Sequence, residues 1–314
     1  MTLTETARWL KTHDGYLILT HFNPDGDTVG SAVALCRGLR QMGKTAFVKI
    51  ADNAMARWKT LAAGLEAPED FVFSKAVSVD TASFAMLLPQ APESIDLAID
   101  HHGSHSAYAS EQVVEPDAAC GEIIYRLLKL LGVVVTPVIA EALYVAIATD
   151  TGCFRYGNTT AQSHTIAAAL METGFDFLAV NEENFLVKSM TRVRAEYETL
   201  SGMELLDGGR IAIITLTDRV ARQIRELGED PDEVSALTRT VLGVVIGVTI
   251  KEREGHCKVS LRTARGYSAA DICGRLGGGG HAQAAGCQVE GDIAAARTAI
   301  LAAIGQVYPF STDN

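Results

Sequence analysis

"YLILTHFNPDGDTVGSAVALCRGLRQMGKTAFVKI", residues 16–50, reads as strand, polar turn, helix and strand. The apolar run at 16–21 suits a short buried strand. Residues 27–43 have helical length with Gly43 as a stop, and 45–50 predict a second strand. Inside the turn, "HFNPDGDTVGS" (21–31) crowds His21, Asp25 and Asp27 together. Two carboxylates brought within about 4 Å repel by roughly 4 kcal/mol at an effective dielectric near 20. The stretch calls for a positive partner.

Working outward, "KAVSVD" (75–80) and "SIDLAID" (94–100) predict further strands, and 118–132, 137–150 and 159–174 predict helices. Strands alternating with helices imply an α/β fold with a mostly parallel sheet covered on both faces. Asp25, Asp80 and Asp100 each fall at or just past the carboxyl end of a strand, where open α/β sheets bind ligands. Residues 183–206 predict one long polar connecting helix, a semi-rigid strut with Arg192 and Arg194 on a solvated face. Beyond it, strands at 210–217, within 241–264 (with "REG", 253–255, as hairpin tip) and at 287–291 alternate with helices near 218–226, 268–276 and 292–305. They predict a second, smaller α/β domain. The expected division is 1–185, a helical connector at 186–206, and 207–314.

Composition narrows the class. The 314 residues are 48% hydrophobic and 21% charged, a globular balance. Six cysteines without a CxxC pair suit reduced thiols in a cytoplasmic protein. The N-terminal stretch is short and amphipathic, with no secretory pattern. The longest apolar segment (133–150) is broken by Pro137 and Glu141 and makes a poor membrane span. A net charge of -11 argues against broad binding of long nucleic acid. Most of the acidic excess lies before residue 190, where the Asp and His motifs also lie.

Four stretches are candidates for chemistry: "HFNPDGD" (21–27), "VSVDTAS" (77–83), "IDHHGSH" (99–105) and "ATDTGCFRYGNTT" (148–160). Alone, an Asp at a strand end is often a helix N-cap or turn former. Together they place four or five carboxylates and at least two histidines near one sheet edge. Carboxylate and imidazole without thiolate suit Mn²⁺, Mg²⁺, Fe²⁺ or Zn²⁺, with Mn²⁺ favoured. The ligand count exceeds one ion with open positions and fits two ions about 3.5–4 Å apart that clamp a phosphoryl group and activate water. Asp25 and Asp27 then point to different ions, with Gly26 letting the backbone turn between them.

"HFNPDGDTVGS", "VD" (79–80), "DHH" (100–102) and "TDTGCF" (149–154) resemble the motifs of the DHH family phosphoesterases, and "GGGGHAQAAG" (277–286) resembles the glycine-rich signature of that family's associated second domain. The two-domain form is most similar to the branch of nanoRNases and 3'-phosphoadenosine-5'-phosphate phosphatases, which also holds enzymes acting on cyclic dinucleotides or their linear products. The resemblance implies a metal-dependent hydrolase of short oligoribonucleotides or small phosphonucleotides. His21 and Asp25 would hold one Mn²⁺ (or Mg²⁺ or another divalent cation). Asp27, His101 and Asp150 would hold the second, and Asp80 would bridge. Asp100 would orient the histidines, and His102 would face the phosphate. A homodimer through the first domain is a family-level expectation.

Charge counting gives a reason for the second domain. Two divalent ions are balanced by Asp25, Asp27, Asp80 and Asp150, so a second substrate phosphate needs cations from elsewhere. Arg262 at a strand end and successive N–H groups of Gly277, Gly278, Gly279 and Gly280 are candidates, followed by His281. Arg155 and Asn158 are candidate phosphate or sugar contacts, with helix capping by "NTT" the alternative. His13, His105, His164 and His256 read as ordinary surface or core histidines. Two other functions compete: a single-strand exonuclease of the same family, and a non-catalytic nucleotide-binding sensor. The first needs a basic channel that this chain lacks, and the second would be expected to have lost ligands.

Overall fold

The computed structural model describes residues 1–227 and 231–309. The chain divides into two compact units, Met1–Val187 and Lys188–Asn314.

In the first unit, five strands form a wholly parallel sheet: β1 (Tyr16–Leu19), β2 (Ala46–Lys49), β3 (Lys75–Val79), β4 (Ile95–Asp100) and β5 (Ala109–Val114), in the order β2-β1-β3-β4-β5. The longer helices are α1 (Leu3–Thr12), α2 (Gly26–Gln41), α3 (Ala56–Ala62), α4 (Cys120–Leu131), α5 (Pro137–Asp150), α6 (Ala161–Met171) and α7 (Phe177–Asn181). Alternation along the strands splits the buried side chains between two faces. Ile18, Val48, Val77, Val79, Leu97 and Ile99 join the helices in one large core. Leu17, Leu19 and Ala76 face a smaller cluster closed by Phe71, Leu87 and Leu88, from irregular segments, and Ile95 at the first position of β4 joins it outside the alternation.

Sequence reading passes over β5 because "ASEQVV" is a half-exposed edge strand with weak alternation. Its connection from β4 has no helix. Eight residues, 101–108, make the crossover that parallel neighbours require, and they include His101, His102 and His105.

The expected strut at 183–206 is not one helix. Glu182–Leu186 forms a π-helical turn, Val187 is extended, and α8 (Met190–Ser201) begins afresh. The Ser189 hydroxyl accepts the Arg192 N–H at 3.0 Å, so a serine able to cap starts a new helix and ends the old one. Arg192, expected on a solvated face, is 2% exposed, with Nε donating to Glu196 Oε1 at 2.9 Å.

The second unit carries α8 and a six-stranded mixed sheet. Its strands are β6 (Glu204–Leu206), β7 (Ile211–Leu216), β8 (Ile246–Glu252), β9 (His256–Thr263), β10 (Gly279–His281) and β11 (Ala284–Glu290), in the order β10-β11-β9-β8-β7-β6. Only β7 and β8 pair in parallel. Helices α10 (Ala269–Gly274) and α11 (Ile293–Val307) share one core with the sheet. Residues of α8 and α9 (Asp218–Glu226) form another with Leu216 and Val234.

The glycine run is not the anion-binding nest expected. Gly277 and Gly278 spend their N–H groups on Gly274 and Cys273 carbonyls at the end of α10. Gly279, Gly280 and His281 pair with Gly286, Ala285 and Ala284 in an exposed edge strand. Glycine is required by close approach: a Cβ on Gly278 would meet Cys287 Cβ at 2.5 Å, and Gly280 sits at φ 142.

Packing of α2 on α5 also depends on small residues. A Cβ on Gly30 would be driven into the Ala142 carbonyl and sit 3.0 Å from Ala146 Cβ. Gly30→Ala should therefore lose about 1–3 kcal/mol of stability by overpacking, outweighing the roughly 1 kcal/mol that alanine gains over glycine in a helix. Urea denaturation checks this through a lowered midpoint.

Candidate metal centre

Each acidic side chain is aimed by its own local structure. Asp25 caps α2: Oδ1 accepts the N–H groups of Asp27 and Thr28 at 3.0 and 3.1 Å, leaving Oδ2 to face His21 Nε2 at 3.7 Å. Asp27 is held by the start of α4, whose Cys120 and Gly121 N–H groups reach its two oxygens at 2.7 and 2.9 Å. Ser31 adds a third donor at 3.1 Å. A helix N-terminus favours such an anion. Gly26, expected to supply a turn, is instead the first residue of α2, and its missing Cβ makes room for Thr149 on α5.

Asp80 directly follows β3 in a left-handed conformation (φ 53) that few non-glycine residues adopt. Its N–H donates to Ile99 O at 2.9 Å, and the Thr28 and Thr81 hydroxyls both hold Val79 O. Asp100 closes β4 and orients the histidines after it. Its Oδ1 lies 2.8 Å from His102 Nδ1 and accepts the His101 N–H at 2.8 Å. His101 Nδ1 lies 3.1 Å from Asp117 O, so that nitrogen carries the proton and Nε2 is turned toward the acids. Nε2 stands 3.3 Å from Asp80 Oδ1, 3.7 Å from Asp150 Oδ2 and 3.8 Å from Asp27 Oδ2.

Donor atoms of His21, Asp25 and Asp80 all lie within 4.8 Å of one another, as do those of Asp27, His101 and Asp150, and those of Asp80, His101 and His102. Burial pushes the Asp27 carboxyl up to about 6 and the Asp150 carboxyl up to about 8, and neighbouring acid charge adds to both. Burial and then the charge of Asp27 drive Asp80 well above the carboxylate range. Burial opposes the charge on His101, yet Asp80, Asp27 and Asp150 raise it to about 11. Each shift says that this pocket holds positive charge tightly.

A divalent cation fits that demand. Asp80 Oδ1 is buried without a hydrogen-bond partner among the described residues, and the donors are carboxylate oxygens and imidazole nitrogens, the set that hard to borderline divalent ions prefer.

Other expected site residues lie differently. Asn158 is exposed, but its amide nitrogen is engaged: it donates to Ala118 O at 3.0 Å and Asp150 O at 3.1 Å, which ties the end of α5 to the approach of α4. A turn through three left-handed residues, Gly152, Cys153 and Phe154, brings it back onto Asp150. The expected cap in "NTT" is Thr160, on α6. Arg155 is exposed, with Nε bonded to Gly152 O at 2.7 Å. Arg262 lies one residue from the end of β9, opposite Ala284.

Two residues were missed. His105 is no ordinary histidine, since its Nδ1 lies 2.6 Å from Asp100 Oδ2. Its place in "DHHGSH" was the available signal. Glu122 is fully buried on α4, held by Ser163 and Gln162 and raised by burial, and its charge reaches Asp150. Within an amphipathic helical pattern nothing marks it.

Residues 16–147 match the DHH family, N-terminal domain, and 220–308 match the DHHA1 domain. The bifunctional oligoribonuclease and PAP phosphatase NrnA of Thermus thermophilus is 33% identical over 91% of this chain and 87% of its own. The chain belongs to the DHH family. The bifunctional oligoribonuclease and PAP phosphatase NrnA of Bacillus subtilis is 24% identical over 91% of this chain and 93% of its own. The fold is shared with an exopolyphosphatase-related protein from Bacteroides fragilis, at TM-score 0.81 and 20% identity over 98% of this chain and 96% of that one. As a DHH family member with this donor set, the chain is a metal-dependent phosphoesterase. Among the described residues no helix is long and apolar enough to cross a membrane.

A carboxyl whose pKa is higher folded than unfolded binds its proton more tightly in the folded state. The metal-free protein should therefore lose stability as pH climbs from the ordinary value of 3.8 toward about 8, through Asp27 and Asp150. His101 continues the trend upward from 6.5. A divalent cation displaces those protons, so its stabilisation should grow between pH 6 and 8 and reach about 2.7 kcal/mol at a hundredfold excess over Kd. Thermal melts with Mn²⁺ or with chelator check this; the increment should shrink in Asp80→Asn.

Proposed function

We propose that the chain hydrolyses short oligoribonucleotides, dinucleotides included, and 3'-phosphoadenosine-5'-phosphate, using two Mn²⁺ ions. The observation that carries the reading is the pair of donor triads, His21–Asp25–Asp80 and Asp27–His101–Asp150, with Asp80 also facing His101. In this reading His21 and Asp25 would hold one ion, Asp27, His101 and Asp150 would hold the other, and Asp80 would serve both. Two such ions, when bound, polarise the phosphoryl group and make water nucleophilic near neutral pH.

The remaining chemistry belongs to the chain. Burial raises Asp100, but bonds from His102, His105 and the His101 N–H outweigh it and keep the carboxyl low and ionised. An ionised carboxylate only accepts, so His102 Nδ1 donates to it and Nε2 is the nitrogen that exchanges a proton at the leaving oxygen. In the second unit, Arg262 serves as a cation for a further phosphate, and the Gly279–Gly280–His281 edge strand that follows Gly278 offers backbone groups and an imidazole to the nucleotide. Arg155 is a further candidate contact. The names of the NrnA relatives support the substrate class, and a net charge of -11 supports short over long substrates. Six free cysteines fit a cytoplasmic setting.

Steady-state kinetics with Mn²⁺ on a diribonucleotide, 3'-phosphoadenosine-5'-phosphate and a long single strand test the proposal. The two small substrates should give much the higher kcat/KM, and Asp80→Ala should fall to background while remaining folded. Arg262→Ala should raise KM roughly 10- to 100-fold, the loss of one charge-assisted bond of about 1.5–3 kcal/mol. Preference for the long strand, or activity retained in metal-loaded Asp80→Ala, would overturn the reading.

A further inference from the structure

His105 lies three residues beyond His102 in the β4–β5 connection, with 5% of its side chain exposed. Its Nδ1 is 2.6 Å from Asp100 Oδ2, and its Nε2 is 3.3 Å from Gln112 Oε1 on β5. Its ring lies 5.4 Å from that of Tyr108. The Tyr108 hydroxyl donates to Thr81 O at 2.9 Å and sits 2.8 Å from Ser78 Oγ. The imidazole is thus held at both nitrogens, by Asp100 at the end of β4 and Gln112 on β5, with the anchored Tyr108 ring beside it.

Asp100 is wholly buried. Its Oδ1 serves His102 and the His101 N–H, and among the described residues His105 is the partner of Oδ2. Without His105, Oδ2 becomes a buried anionic oxygen with no donor, a costly state. The carboxylate relieves it by rotating. Rotation changes the bond to His102 Nδ1, and with it the tilt of that ring and the nitrogen that faces Asp100.

We propose that His105 is a positioning residue for His102, acting through Asp100. The inference rests on the reading of His102 as the group that exchanges a proton with the leaving oxygen. His105 locks the carboxylate plane, the carboxylate holds Nδ1–H on His102, and Nε2 is left oriented for the reaction. Asparagine at 105 carries an amide nitrogen on Cγ where histidine carries Nδ1, so it can restore the donor; leucine cannot.

The test compares His105→Leu and His105→Asn by two readouts. Imidazole ¹⁵N NMR of the Mg²⁺-loaded protein reports which nitrogen of His102 carries the proton. Wild type and His105→Asn should show Nδ1–H, and His105→Leu a mixture. With Mn²⁺ and a diribonucleotide, His105→Leu should lower kcat about 10- to 100-fold, as loss of an orienting partner does. KM should change less than about threefold, and His105→Asn should recover kcat to within about threefold. His105→Ala is the second variant should leucine prevent folding, with the same expectations. An unchanged His102 tautomer and kcat in His105→Leu would overturn the proposal, as would a His105→Asn protein as slow as His105→Leu. If the wild type fails to turn over the dinucleotide, the substrate reading falls, while the NMR comparison still decides the role of His105.

Discussion

Carboxylates pressed together out of bulk water repel one another, and much of the first unit is arranged around that repulsion. Asp27 and Asp80 are buried, and Asp150 is partly so. Burial and mutual charge together raise the proton affinity of all three, and their charge raises that of His101 among them despite its burial. A chain that only needed a stable core would place apolar groups here, since burying like charges opposes folding. The cost is offset by a function that uses the stored demand for positive charge.

Backbone dipoles make the arrangement tolerable. Asp25 takes the first N–H groups of α2, and Asp27 takes those at the start of α4. Each acid has part of its charge neutralised by a helix end while an oxygen still faces the pocket. Helix ends can meet there only because α2, α4 and α5 pack closely. Gly121 illustrates the constraint: a Cβ would stand 2.6 Å from Ala146 Cβ. Asn158 extends the logic by bonding the exposed end of α5, where a carboxylate such as Asp150 meets an unfavourable dipole, to the chain leading into α4.

The second unit solves a different problem. Gly278 and Gly280 serve packing, because there the chain lies so close to β11 that a Cβ would collide with it. The run is an edge strand paired to β11, not a free loop. Arg192, paired with Glu196 in a buried position on α8, likewise belongs to the packing of this unit, although its neighbours in sequence are polar.

Much of this was legible in residue order. Apolar periodicity marked β1, β3, β4, α2 and α5, and turn chemistry put the acids at strand ends, because both signals are local. The break at Ser189 was harder to read, since one hydroxyl cap competes with a long polar helical pattern. The edge strand β5 was hidden by its exposure, and β10 by glycines that read equally well as loop. The types and clustering of the acids and imidazoles, and hence the need for a cation, were determined by the sequence itself. Which oxygen of Asp25 caps a helix and which faces His21, how Asn158 ties α5 to the chain before α4, and how His105 completes Asp100 were decided only by the tertiary structure. Hydrogen bonds between residues far apart in the chain, and those whose direction depends on the path of a connection, leave no periodic trace.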